Sequence, residues 1–245
     1  FFDDSELAST GRPASAAERA LLAPFPGAVR ADIMNGTWHP PKTDGSGRDR
    51  IWPKRALKLL AAAGYELKGE ELVKDGKPLR FEIMVQTLAQ QRLALAYAAS
   101  LARIGVDVQV RAVDEVQYQR RRQNFDFDMM IGTWLASASP GNEQRGRWAS
   151  VSADQPGSYN LAGVKSPAVD ALIADLLAAR TQKDFVTAVR AYDRVLLSGF
   201  YIVPLFHASQ EWVAGSSSLG RPDKLPAYGP PTVNPTLETW WRKPQ

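Results

Sequence analysis

The sequence contains no cysteine. That excludes disulfides, thiolate metal sites and cysteine nucleophiles, and it leaves the compartment open, since exported proteins can also lack Cys. Histidine is nearly as scarce. Only His39 and His207 occur, and neither has a second ligand at a usable spacing, so no protein-held metal and no cofactor is expected. No run reaches the roughly 18 consecutive apolar residues of a membrane-spanning helix. The opening FFDDSELASTGRPASAAE has no basic segment followed by an apolar one. A leader is therefore either absent or lies far upstream of this start. The nucleophile motifs are missing too: there is no Gly-x-Ser-x-Gly elbow, no supported Ser-x-x-Lys and no glycine-rich phosphate loop. Gly45-Ser46-Gly47 is too short to serve as one. An enzyme finds no support in these residues.

The charge is mixed. Thirty Lys and Arg against 26 Asp and Glu give a net charge of +4. The densest basic run, Arg120-Arg121-Arg122, lies beside acidic residues and has no aromatic ladder. A nucleic-acid groove needs a broader basic stripe, so no nucleic-acid partner is expected. The 245 residues suffice for one large domain or two small ones with a substantial core.

Residues 1–50 read as largely irregular. They hold one short helix candidate from Ala14 to Leu22, with Ser15 as its N-cap, and an exposed loop at HPPKTDGSGRDR. So long a stretch with little regular structure suggests a connector leaving another body. Order begins at DRIWPKRALKLLAAAGY, where Pro53 suits a first helical turn and Gly64 a left-handed cap. LVKDGKPLRFEIMV predicts a strand, an Asp75-Gly76 turn and a second strand. LAQQRLALAYAASLARIG is a helix of high propensity, and VDVQVRAV follows as an alternating strand. Strand, helix and strand of these lengths make a βαβ unit with parallel strands. DEVQYQRRRQ is a short helix, and FDFDMMIGTW is expected to be a strand inside the sheet. Two helices follow, SPAVDALIADLLAAR from Ser166 and TQKDFVTAVRAYDRVLLSGF from Thr181. YIVPLF is expected to be a short strand, and the tail after it is rich in Pro and Gly.

Asp126 and Asp128 point to one face of a strand, about 6–7 Å apart. That spacing suits paired carboxylates, but nothing nearby completes a catalytic site. The expectation is a structural role, with pairing to Arg residues of the preceding helix as one form of it. The loop after Trp134 is more informative. LASASPGNEQRGRW sets Ser, Asn, Gln and Arg between two tryptophans, and in α/β sheets ligands collect at the carboxyl ends of strands. An aromatic platform with small polar groups fits a site that reads a ligand's backbone. A solvated loop with one core Trp is the plain alternative.

These segments together resemble the C-terminal half of the extracellular solute-binding proteins of family 5, the peptide-binding receptors of ABC importers. The resemblance rests on RALKLLAAAGY with DGKPLRFEIMV, on LARIGVDVQVRAVDEVQYQRR, on FDFDMMIGTW, on SYNLAGVKSPAVDALI and on YIVPLFH, in order across most of residues 50–210. SPGNEQ and the ending LETWW are most similar to the oligopeptide receptors typified by the Yej system. The resemblance implies an α/β lobe of the type II periplasmic-binding-protein kind, with a mixed, partly parallel sheet flanked by helices and built from βαβ units. It implies residues 1–50 as a connector from an N-terminal lobe, 51–206 as the ligand-binding lobe, and 207–245 as a tail returning to that first lobe. It also implies a monomeric, non-enzymatic periplasmic or extracellular binding component. Its ligand would be an oligopeptide or related solute, and it would deliver to an ABC permease in the inner membrane.

For the site, Trp134 matches a family tryptophan lining the peptide cleft. Three residues on, where many peptide receptors carry an Asp for the ligand's ammonium group, this chain has Ser137. Neutral Ser cannot offer the same charge-assisted bond. Glu143 is a candidate to compensate, and Arg122 falls where some members place an Arg near the ligand carboxylate. Ser139, Asn142, Arg145, Tyr159 and Asn160 complete the expected ligand-binding set. Metal chelates, haem, glutathione or sugars stay open as other ligands on the same fold. A free-standing α/β protein-interaction domain is the remaining alternative.

Overall fold

Helix starts follow the capping residues. In the computed structural model, Ser15 accepts the Glu18 N–H and the Glu18 carboxylate returns to the Ser15 N–H, closing a capping box on α1 (Ala16–Leu22). The structure describes residues 1–3, 5–134, 139–206, 215–223 and 239–243. Two compact units emerge, one from Phe1–His39 with Trp134–Gln245, the other from Pro40–Thr133. The first 39 residues are thus less irregular than their sequence suggests. They hold α1 and a single turn, α2 (Ala31–Met34), and they supply Phe2, Leu7 and Leu22 to a core. Gly36 is required where α2 ends, because a Cβ there would fall 2.4 Å from the Arg12 carbonyl carbon.

The Pro40–Thr133 unit begins with α3 (Ile51–Ala62), followed by an antiparallel meander of β1 (Glu66–Lys68), β2 (Glu71–Lys74) and β3 (Lys77–Pro78). Asp75 and Gly76 both have positive φ, as a two-residue hairpin turn of the primed type requires. The expected βαβ unit is present. β4 (Arg80–Val85) runs parallel to β5 (Asp107–Ala112) with Phe81 opposite Val108, and α4 (Leu88–Ala102) connects them. Thr87 and Gln90 form a capping box at the start of α4. α5 (Glu115–Gln123) is capped by Asp114 and leads to β6 (Met129–Met130).

The strand expected over FDFDMMIGTW is reduced to these two residues. β6 pairs in parallel with β4 at one edge of the order β5-β4-β6, not inside the sheet. The side chain of Asp128 accepts the Glu82 N–H at 2.9 Å, so a carboxylate replaces a ladder carbonyl there. Asp126 accepts from Arg121 Nε at 3.1 Å, the pairing with the preceding helix foreseen for it. Arg121 also reaches Glu82 at 3.0 Å and so ties α5 to β4.

The other unit is organised by α8 (Gln182–Gly199). Its residues from Ala191 to Leu196 are buried on every side, packed against α7 (Pro167–Ala178), α1 and α2. Ser166 caps α7, with Pro167 at the first helical position, and Thr181 caps α8. Arg194 is fully buried. Its Nε donates to Glu18 at 2.7 Å and its Nη1 to the Ile33 carbonyl at 2.6 Å, so one side chain clamps α1 and α2 to α8. Residues 201–206, expected as a strand, are irregular. Pro204 removes a ladder donor, and Val203, Leu205 and Phe206 are exposed. A short antiparallel pair, β7 (Leu219–Gly220) with β8 (Trp241–Arg242), completes the described elements. Among the described residues no helix is long and apolar enough to cross a membrane.

Candidate ligand-binding site

The candidate site is built around α6 (Glu143–Trp148), which starts nine residues after Trp134. Trp148 is the anchor. It is buried, and its ring meets Phe1 edge-on at 5.3 Å and Tyr201 at a tilt at 6.3 Å. Trp134 stacks on it with ring centroids 6.0 Å apart and planes 20° from parallel. A half-buried indole is thereby held flat against a buried one, leaving part of its surface free for contact. Ser137 lies outside the described residues. Ser139 is exposed, close to the start of α6.

Asn142 occupies the N-cap position of α6 in helical conformation, and its side chain makes no cap bond. The carboxylate of the neighbouring Glu143 accepts the Gly141 N–H at 2.9 Å and the Gln144 side-chain amide at 3.1 Å, tying the turn before α6 to its first residues. Partial burial works to raise the Glu143 carboxyl. The hydrogen bonds from Gly141 and Gln144, with the nearby Arg147 charge, outweigh it and hold the group below its ordinary value. Glu143 is thus a carboxylate at neutral pH, exposed and next to the loop after Trp134.

Behind α6 the contacts are structural. Gln144 is buried and accepts the Tyr192 hydroxyl at 3.0 Å, and burial pushes that phenol strongly upward so that it stays protonated. The Arg145 carbonyl accepts from Ser152 at 2.9 Å. The exposed Arg145 side chain lines a shallow cleft of about 240 Å³ with Val151, Asp170, Ile173 and Ala174. Asp170 is committed to the Ser150 N–H at 2.8 Å.

Tyr159 and Asn160, two residues considered equivalent from the sequence, separate here. Tyr159 is exposed, and its N–H donates to the Gly146 carbonyl at 3.2 Å, fixing the loop against α6. Asn160 is fully buried. Its amide donates to the Ala149 and Val164 carbonyls at 3.0 and 2.9 Å, and its oxygen accepts the Val164 N–H at 2.9 Å. It closes the loop from within and presents nothing to solvent. Arg122 is on α5 in the Pro40–Thr133 unit, half-buried, with Nη1 3.5 Å from Gln119 Oε1. The structure therefore gathers Trp134, Asn142, Glu143, Arg145 and Tyr159 around α6 in one unit. Trp148 and Tyr192 were missed as its supports. The second tryptophan of the quoted loop was a signal for the first, and nothing local marked the second. Among the described residues no group of three metal-ligating side chains converges.

Parallel strands joined by a crossover helix define an α/β fold. Residues 25–155 match the family profile described as Bacterial extracellular solute-binding proteins, family 5 Middle. The chain belongs to this family, whose members bind solutes for ABC importers, and to its Yej-like subgroup. It is 53% identical over its whole length to a binding protein of Brucella melitensis and spans 39% of that relative. In Agrobacterium fabrum it is 44% identical over 98% of the chain to the peptidoglycan-binding protein YepA, and 39% identical over 94% to the peptide-binding protein YejA. It spans 38% of each. The chain thus covers well under half the length of these relatives. The oligopeptide-binding protein AppA from Bacillus subtilis, solved with a nonapeptide, shares the fold at TM-score 0.57 and 16% identity, covering 99% of this chain and 48% of that one.

Proposed function

We propose that this chain forms part of the receptor of an ABC peptide importer in the periplasm, and that the loop around α6 supplies one wall of its ligand cleft. The observation that carries this reading is the Trp134–Trp148 stack, with an ionised Glu143 opening the helix that ends in Trp148. The flat indole offers apolar contact that tolerates varied side chains, and the carboxylate offers a partner for a ligand ammonium group. Glu143 stands in for the charge that Ser137 does not carry. Asn160 is left out of the contact set because its polar atoms are all engaged within the loop. The cleft would close between two lobes, and the closed form would be delivered to a membrane permease. Residues 1–50 as the segment arriving from a first lobe, with 1–39 already packed into the α8 core, and 207–245 as a segment returning to that lobe, belong to the same proposal. Half a cleft offers half the contacts, so this chain alone binds peptide weakly.

The similarity to YepA favours one refinement, a peptide of peptidoglycan origin, as a second reading. The experiment is native mass spectrometry of the polypeptide purified at the length of its relatives, followed by denaturing identification of whatever it carries. Free or peptidoglycan-derived peptides are expected, with binding reduced when Glu143→Gln is introduced or when the peptide is N-acetylated. A co-purifying sugar or metal chelate without peptide overturns the reading.

A further inference from the structure

Helix α3 presents an outward face that sets three cations between two exposed aliphatics. Ile51, Lys54, Arg55, Lys58, Leu59 and Ala62 are all exposed, and their spacing of three and four places them in one stripe along the helix. The opposite side, through Ala56, Leu57 and Leu60, packs on the core formed with Leu72, Ile104 and Val106. Ile51 is 72% exposed and Leu59 64%. They bracket the three cations about 12 Å apart along the axis. The chain's net charge of +4 falls wholly within this unit, where sixteen Lys and Arg face twelve Asp and Glu.

The cations of this stripe differ from those of the sheet. Arg80 is paired with Asp107, Arg111 with Glu82, and Arg121 with Glu82 and Asp126. Lys54, Arg55 and Lys58 have no carboxylate within ion-pair distance among the described residues, and Arg55 only lies over the Trp52 ring at 5.6 Å. Nearby, Asp49 is engaged with the Ile51 N–H and Asp44 with Ser46. No ion pair offsets the charges of the stripe among the described residues.

We infer that the exposed stripe of α3 is a docking surface for an anionic lipid bilayer. The stripe is convex and straight, so a planar surface meets all its residues at once. Long Lys and Arg side chains reach phosphate headgroups while the flanking aliphatics enter the interfacial layer. Each such cation raises partition onto an anionic membrane about fivefold, so three together give roughly a hundredfold. The effect would hold the protein at a membrane face independently of whichever solute it carries.

The test is co-sedimentation of the chain with vesicles of one part phosphatidylglycerol to two parts phosphatidylcholine, against pure phosphatidylcholine, at low and high salt. Wild type is expected to partition onto the anionic vesicles only, and to lose binding as salt rises. The triple variant K54Q/R55Q/K58Q should lose roughly a hundredfold. I51S/L59S should weaken binding while keeping the salt dependence. R180Q/K183Q, a charge control in the other unit, should bind as wild type. All these side chains are exposed, and circular dichroism checks that each variant is folded. Equal binding by wild type and the triple variant overturns the inference, as does no binding to anionic vesicles. Soluble polyglutamate held as tightly as the vesicles, with I51S/L59S without effect, also overturns it and points to an acidic protein partner instead.

Discussion

Trp134 lies face to face with Trp148, 6.0 Å between ring centroids, and the two differ in what surrounds them. Trp148 is 4% exposed and touches Phe1 and Tyr201, whereas Trp134 is only half-buried. One ring is core and the other rests on it. Trp148→Ala is therefore expected to cost about 3–5 kcal/mol of stability. Trp134→Ala removes one aromatic pair and part of one buried face, about 1–2 kcal/mol. Urea unfolding of both variants measures the difference, and equal losses would make Trp134 a core residue and not a ligand wall.

Asn160 makes three hydrogen bonds to buried backbone groups. Asn160→Ala leaves the Val164 N–H and carbonyl without that partner, while the Ala149 carbonyl keeps the Ser152 N–H, and it should destabilise the chain by about 2 kcal/mol. Ligand affinity per folded molecule should not change. An affinity loss without a stability loss would restore Asn160 to the contact set.

The buried pair of Arg194 and Glu18 is expected to behave asymmetrically. Glu18→Gln leaves the guanidinium without its counter-charge at zero exposure, and a loss of about 3–5 kcal/mol is expected. The double variant E18L/R194M should recover most of that loss. A double-mutant cycle in urea reads both numbers. A double variant as unstable as Glu18→Gln would show that the clamp on the Ile33 carbonyl, and not the charge pair, holds α2 in place.

Glu143 is held below its ordinary value of 4.5, because hydrogen bonds to its charged form and the Arg147 charge outweigh partial burial. A depressed carboxyl contributes stability that is fully present above its unfolded value. That contribution is lost as pH falls through its lower folded value. The pH dependence attributable to Glu143 should therefore appear only on the acid side of about 4.5 and vanish in Glu143→Gln. A carbon-detected NMR titration of the side chain gives the value directly, and a midpoint above 4.5 would contradict it.

Ser15, Ser166 and Thr181 were readable as helix starts because a cap is settled by a hydroxyl and an N–H three residues on. The parallel pair β4–β5 was readable because α4 is long enough to cross over between them. The strands at FDFDMMIGTW and YIVPLF were over-read. Alternation shows that a segment can extend, and only a neighbouring edge decides whether it pairs. Asp128 intercepts an N–H that a longer β6 would have used, and Pro204 interrupts its own segment. For the candidate site, the tryptophan and the small polar loop were visible as composition. The difference between Tyr159 and Asn160 was not, since a polar loop residue looks the same whether it faces water or the backbone inside the loop.

By itself the sequence determined the βαβ unit, the capped helices, the lack of thiol chemistry and the family. The first three rest on local hydrogen bonding, on periodicity, or on residues simply being absent, and the family rests on the resemblance of an ordered set of segments. The tertiary structure alone decided that Phe2, Leu7 and Leu22 join the core with α8, that Arg194 finds Glu18 far along the chain, and that Trp134 lies on Trp148. Those contacts link positions many residues apart. Their formation depends on how much apolar surface the whole unit removes from water, a quantity that no local window of sequence contains.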